Sequence, residues 1–188
     1  TYNGIKITVM NGGRFSTDTS ITSEVMCNAG IQNIIRIGTC GALDEKIKIG
    51  DLVVVDSVIR GDGVTPYYVD GNFKTIADKN ITDTLFEVAK SAGANVYRGI
   101  AWTTDALLRE TRELVELKRE EGAIAVDMVS STLLTIAQIY KVKAGSILAV
   151  SDNVVTGEMG FMNPLYYMAE SKLIEIALET VKRLEGSK

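Results

Sequence analysis

Arg36 stands inside an apolar run, Asn33-Ile34-Ile35-Arg36-Ile37, that breaks into Gly38-Thr39-Cys40-Gly41. A guanidinium among isoleucines needs an anionic partner, because a buried unpaired charge is costly. Its planar fork of donors matches phosphate, and Thr39 adds a hydroxyl. Gly38 and Gly41 allow the backbone to approach a ligand closely, and exposed N–H groups in such a turn favour anions. The alternative partner is a buried carboxylate beside an ordinary tight turn. The coincidence of Arg, Thr and two Gly favours a bound anion. No G-x-G-x-x-G is present, so this is not a dinucleotide fingerprint.

Three other stretches place reactive side chains where apolar runs end. Ser151 and Asp152 follow Ser146-Ile147-Leu148-Ala149-Val150. A carboxyl group in partly desolvated surroundings can have a raised pKa and donate a proton, although a turn or N-cap aspartate fits the same pattern. Trp102, the only tryptophan, could stack its flat face on a heterocyclic base or simply fill a core. Asp127 follows Ala123-Ile124-Ala125-Val126 and precedes a helical pattern, which suits a helix cap. The chain has no histidine, so acid–base chemistry must come from carboxylates, Lys, Tyr, a substrate or another subunit.

The elements that must position these residues alternate. Strands are predicted at 4–10, 32–38, 51–60, 95–103, 123–128 and 144–151, with helices near 18–29, 81–92, 107–121, 129–141 and 164–185. Leu173, Ile176, Ala177 and Val181 give the last helix an apolar face. This alternation predicts an α/β fold, a layered single domain with a central, mostly parallel twisted sheet flanked by helices. In such sheets ligands gather at the carboxyl ends of strands. Only two prolines occur and no repeat marks a domain boundary.

The 188 residues suit one domain with a sizeable core, and 46% hydrophobic with 23% charged residues is an ordinary globular balance. A net charge of −4 without basic clusters argues against a nucleic-acid surface. No apolar run approaches the roughly 20 residues of a membrane helix. Two cysteines, Cys27 and Cys40, fit free thiols in a reducing compartment.

Taken together, the stretches resemble the nucleoside phosphorylase family that includes hexameric purine nucleoside phosphorylases and uridine phosphorylases. "IIRIGTCGAL" followed by "IKIGDLVVVDSVIRGDG" is similar to that family's phosphate-binding segment, "AVDMVSSTLLTIA" to its ribose-binding helix start, and "AVSDNVVTGE" to its base-binding strand end. The resemblance runs from about residue 11 to the C-terminus.

It implies that Arg36, Gly38 and Thr39 bind phosphate and that Trp102 stacks on the base. Met128 would pack against the ribose, Asp127 would stand in for the first glutamate of a Glu-Met-Glu motif, and Asp152 would protonate the leaving base with support from Ser151. Val129 replaces the second glutamate, and Gly13-Arg14-Phe15-Ser16-Thr17-Asp18 replaces a Gly-x-Gly-x-Pro-Ser stretch. "RETRE" at 109–113 does not match the Gln-x-Arg pair that uridine enzymes use for uracil. The chain opens at Thr1, and the family's first strand, with its arginine and an N-terminal histidine, has no counterpart. The expectation is that this segment is missing.

The resemblance thus implies phosphate-dependent cleavage of a purine nucleoside or of uridine, with inorganic phosphate as co-substrate and no cofactor or metal. A cytoplasmic homo-oligomer, a dimer-based hexamer, is the expected assembly. A hydrolase acting on methylthioadenosine or adenosylhomocysteine, and a non-catalytic nucleoside- or phosphate-binding protein, are the alternatives.

Overall fold

A computed structural model describes residues 1–186 of the chain. β-Branched and aromatic runs fold as strands and amphipathic runs as helices, except that α1 buries Ser16, Thr19 and Ser23 and exposes Ile21 and Val25. In chain order these are α1 (Ser16–Asn28), β1 (Asn33–Ala42), β2 (Leu52–Gly61), β3 (Thr75–Ile76) and α2 (Lys79–Ser91). They continue with β4 (Val96–Thr104), α3 (Arg112–Glu120), β5 (Ala123–Asp127), α4 (Ser130–Ile139), β6 (Lys143–Asn153), β7 (Glu158–Met159) and α5 (Pro164–Gly186). Asp78 starts α2 by accepting the Ile81 N–H, and Thr111 does the same for Leu114 in α3.

The α/β expectation holds, but the sheet is not simply parallel. Its order is β3-β2-β4-β5-β1-β6-β7, and β2 also pairs with β6. Parallel ladders join β1 to β6, β2 to β4 and β4 to β5. The β1–β5 and β2–β6 pairs are antiparallel. Five strands therefore close on themselves like a barrel, with β3 and β7 as short additions. The closure joins the start of β2 to the middle of β6, with Leu52 opposite Ala149 and Val55 opposite Ser146.

Two expected elements are corrected. Residues 4–10 form no strand; only an isolated Tyr2–Ile5 bridge occurs there. Val9 is 84% exposed and finds no neighbouring strand to pair with, so its β-propensity has nothing to act on. The helix expected over 107–121 is a short 3₁₀ turn, Leu107–Arg109, and then α3, because Thr111 sets a new helix start.

The core divides around the sheet. One cluster packs α4 on the sheet through Leu133, Leu134 and Ile136 against Val53, Val55 and Leu148. Another packs α2 and α5 on the opposite side through Ile81, Leu85, Leu173 and Ile176 against Leu52, Val54 and Ile147. At Gly145, a Cβ would collide with Ile81 Cγ2 and lie 3.2 Å from Ile81 Cβ. Gly145→Ala should therefore cost about 1–3 kcal/mol of overpacking in urea unfolding. Gly71→Ala, which meets nothing within 4 Å, should unfold at nearly the wild-type midpoint.

Candidate functional site

The C-terminal ends of β1 and β5 meet antiparallel, with Gly41 opposite Val126, and this crossing brings Arg36 to Asp127. Arg36 Nη1 lies 3.3 Å from Asp127 Oδ2, with the side chains 14% and 0% exposed. The same nitrogen is 3.5 Å from Ser130 Oγ on α4 and 3.4 Å from Ser146 Oγ on β6. Nη2 and Nε donate to no group among the described residues. Both partners anticipated for this arginine thus bear on the site: a buried carboxylate holds one edge of the guanidinium, and the other edge is open.

Asp127 is fully committed. Beyond Arg36, it accepts from the Thr103 hydroxyl at 2.6 Å and from the Ser130 hydroxyl at 2.6 Å and backbone N–H at 3.0 Å. The expected capping role appears in modified form: Val129 is the N-cap of α4, and Asp127, two residues earlier, takes the Ser130 N–H. The ribose-facing role expected of Asp127 finds no surface here, because its side chain is buried. Val129, 3% exposed, likewise offers a ligand nothing.

The glycines of Gly38-Thr39-Cys40-Gly41 have physical reasons that the sequence left open. A Cβ on Gly38 would stand 2.8 Å from both Arg36 Nη atoms, and one on Gly41 would stand 2.9 Å from Asp152 Oδ2 and 2.8 Å from Val154 Cγ2. Each glycine clears space for a side chain that carries chemistry. Thr39 is half-buried, and strand alternation turns it to the face opposite Arg36.

Cys40 links the two halves of the site. Burial first, then the negative charges of Asp127 and Asp152, push its thiol well above the ordinary range, with Arg36 opposing. On its far side Ser151 Oγ donates to Asp152 Oδ1 at 2.7 Å and approaches the Cys40 carbonyl at 3.1 Å. Met128 is half-buried and its carbonyl accepts from Ser16 Oγ at 3.3 Å, joining α1 to this end of the sheet. Asp105 continues that joint, accepting from Ser16 Oγ at 2.5 Å and the Gly63 N–H at 2.7 Å.

Trp102 is a correction. It is 2% exposed and packed with Leu43, Val115, Ala123 and Val126, so neither indole face is open for stacking. Its Nε1 lies 2.5 Å from where a Gly61 Cβ would stand, which explains that glycine.

Sequence reading missed Ser130, Ser146, Thr103 and Glu110. The small polar residue inside the apolar β6 run was the available signal for Ser146. Glu110 lies in "RETRE", where one glutamate among several charged residues carries no signal of its own. Asp62 was also unread: burial alone would raise its pKa, but hydrogen bonds from Ser131, Thr65 and Val64 outweigh it and leave the carboxyl lowered. It fastens the 61–65 turn to α4, taking the Ser131 hydroxyl at 2.5 Å.

Residues 2–181 match the Phosphorylase superfamily. The chain belongs to that superfamily. A uridine phosphorylase of Thermococcus kodakarensis is 31% identical across 97% of this chain and 69% of its own length. A DeoD-type purine nucleoside phosphorylase of Brevibacillus brevis is 34% identical across 84% of this chain and 68% of its own. Among solved structures, the P. knowlesi homolog of P. falciparum PNP superposes with a TM-score of 0.78 at 28% identity, covering 90% of this chain and 69% of that one. Purine nucleoside phosphorylase from Toxoplasma gondii superposes at 0.84 with 24% identity, over 94% and 73%, and shows the shared fold.

Two measurements probe this superfamily site. Asp127→Asn strands a largely buried arginine and should cost on the order of 3 kcal/mol in urea unfolding, and adding Arg36→Met should recover part of that loss. Glu110, by contrast, is raised from its ordinary 4.5 to about 7 by burial and then by the charge of Asp152. The folded state therefore binds the Glu110 proton more tightly than the unfolded state, and the associated stability is lost as pH rises from about 4.5 to about 7. Between those pH values wild type should lose stability relative to Glu110→Gln, as read from paired denaturant curves.

Proposed function

We propose that this chain is a nucleoside phosphorylase, cleaving the N-glycosidic bond of a purine nucleoside with inorganic phosphate to give the free base and a ribose 1-phosphate. The observation that carries the proposal is the half-open guanidinium of Arg36, across Cys40 from the Ser151–Asp152 pair. Membership of the superfamily, with relatives named for this activity, supports it.

Glycosidic cleavage passes through an oxocarbenium-like state that needs a nucleophile on one face and help for the leaving base on the other. Phosphate held by the free edge of Arg36, near Gly38, would be the nucleophile, positioned rather than chemically activated. Its charge would also stabilise the cationic sugar. Asp127 would hold Arg36 in place rather than touch the ribose, and Met128 would pack against the sugar. Asp152, oriented by Ser151, would protonate the base. Phosphate is the co-substrate, and this scheme needs no further cofactor.

The exposed apolar residues Ile21 and Val25 of α1, and Met162, Leu165 and Met168 at the start of α5, support a homo-oligomer. The two buried free cysteines suit a cytoplasmic setting. No described helix is long and apolar enough to cross a membrane. A second reading, uridine as substrate, is favoured by the Thermococcus relative.

The test is release of base from inosine, adenosine and uridine, each with and without phosphate, followed by chromatography. A phosphorylase releases base only with phosphate, and Asp152→Asn should lower kcat/KM for the favoured purine nucleoside by about 10²–10⁴-fold. Release without phosphate would make the chain a hydrolase. Binding without release would make it a nucleoside-binding protein.

A further inference from the structure

α4 begins without a capping side chain of its own, because Val129 stands at its N-cap. The first backbone N–H groups of a helix must still find acceptors. Two come from neighbouring strands: Ser130 N–H donates to Asp127 Oδ2 at 3.0 Å, and Ser131 N–H to Thr103 Oγ1 at 3.0 Å. A third acceptor approaches from the loop that follows β2. Ser131 Oγ donates to Asp62 Oδ2 at 2.5 Å, and Thr132 Oγ1 lies 3.5 Å from Asp62 Oδ1. Ser131 therefore faces both ways, its hydroxyl held by Asp62 and its backbone by Thr103.

Asp62 is itself a fixed post. Its carboxylate also takes the Val64 N–H at 2.9 Å, the Thr65 N–H at 2.6 Å and the Thr65 hydroxyl at 2.8 Å. The turn it closes is fastened a second time, since Asp105 accepts the Gly63 N–H at 2.7 Å. From this post the bonds run on toward the site. Thr103 Oγ1 accepts from Ser131 and donates to Asp127 Oδ1 at 2.6 Å, and Asp127 Oδ2 meets Arg36 Nη1 at 3.3 Å. Asp62, Ser131, Thr103 and Asp127 are all buried. Away from water a broken link leaves a polar group unpaired, so its neighbours shift to remake the bond.

We infer that Asp62 is a positioning residue for the anion site, setting the direction of Arg36's open edge through Ser131, Thr103 and Asp127. The inference rests on the reading of Arg36 as the phosphate-binding group. Asp127 holds the arginine by one edge only, so a small rotation of that carboxylate swings the free donors away from a bound anion. The rotation is fixed by what Asp127 accepts: the Thr103 hydroxyl on Oδ1, and the Ser130 hydroxyl and N–H on Oδ2. Both donors are placed by the first turn of α4, Ser130 directly and Thr103 through the Ser131 N–H. Asp62 anchors that turn and acts on the anion only through it.

The test is calorimetric binding of inorganic phosphate to the purified chain and its variants, at a temperature where thermal unfolding shows each to be folded. Ser131→Ala removes only the hydroxyl that Asp62 accepts, and Asp62→Asn weakens the post itself. Thr103→Val cuts the line at its middle. Each should raise the Kd for phosphate about three- to tenfold, the cost of misdirecting one hydrogen bond to the anion. Thr103→Ser, which keeps the hydroxyl, should recover most of the affinity lost in Thr103→Val. Combining Ser131→Ala with Thr103→Val should weaken binding no more than the stronger single change, because both act along one line. Ser131→Ala and this double variant decide the matter even if Asp62→Asn does not fold. Variants that lose stability yet bind phosphate like wild type, or single effects that multiply in the double, overturn the inference alone. A wild type that binds no phosphate overturns it together with the phosphorylase reading. Phosphate binding that responds as expected, without phosphate-dependent release of base, leaves the inference standing and overturns the phosphorylase reading instead.

Discussion

The contact between Arg36 and Asp127 ties together most of what is distinctive here. It is an ion pair with the carboxylate wholly enclosed, formed where β1 and β5 cross at their carboxyl ends. Such a pair gains little net stability over apolar packing, yet removing one member leaves a charge that the interior cannot solvate. Three hydroxyls gather round it: Thr103 from β4, Ser130 from α4 and Ser146 from β6. Five elements, β1, β4, β5, α4 and β6, are thereby held in one geometry. The pair fixes the arginine by one edge and leaves the other edge free, the condition for a preorganised anion site.

The carboxyls of this end of the sheet are built on opposite principles. Asp127 is surrounded by donors and a cation, all of which favour its charge. Glu110, by contrast, has a buried oxygen with no donor among the described residues, and burial and then the charge of Asp152 push its pKa up to about 7. A site that must hold an anion at one end and supply a proton at the other needs this separation. The buried thiol between them, flanked by both aspartates, marks how short the distance is.

Much of the fold was legible because periodicity reports burial directly. The alternation of β-branched runs with amphipathic runs found every long strand of the sheet and every helix. It failed at residues 4–10, where a strand-like composition has no partner, since pairing is a property of the neighbour as much as of the segment. Closure of the sheet was not legible either: nothing in β2 alone tells that its first residues pair with β6 as well as β4. In the site, Arg36 and the Ser151–Asp152 turn stood out because polar groups in apolar runs need explanations. Trp102 misled, because the position of an aromatic at a strand end does not say which face it packs on. Ser146 and Glu110 were silent, since a serine in a strand and a glutamate in a loop have ordinary explanations until their partners, or lack of them, are seen.

Ring closure has a consequence for how the chain acquires its structure. β1 ends at Ala42, yet its neighbours on both sides, β5 and β6, begin only at Ala123 and Lys143. During synthesis its isoleucines and unpaired backbone groups must wait until those two strands emerge. Contacts of such long separation make assembly slow, and a waiting strand of this composition is adhesive toward its own kind. The arginine in its middle then has an earlier task. Until Asp127 arrives, Arg36 is the one charge on an otherwise apolar ribbon, keeping β1 in water before it keeps anything in the site.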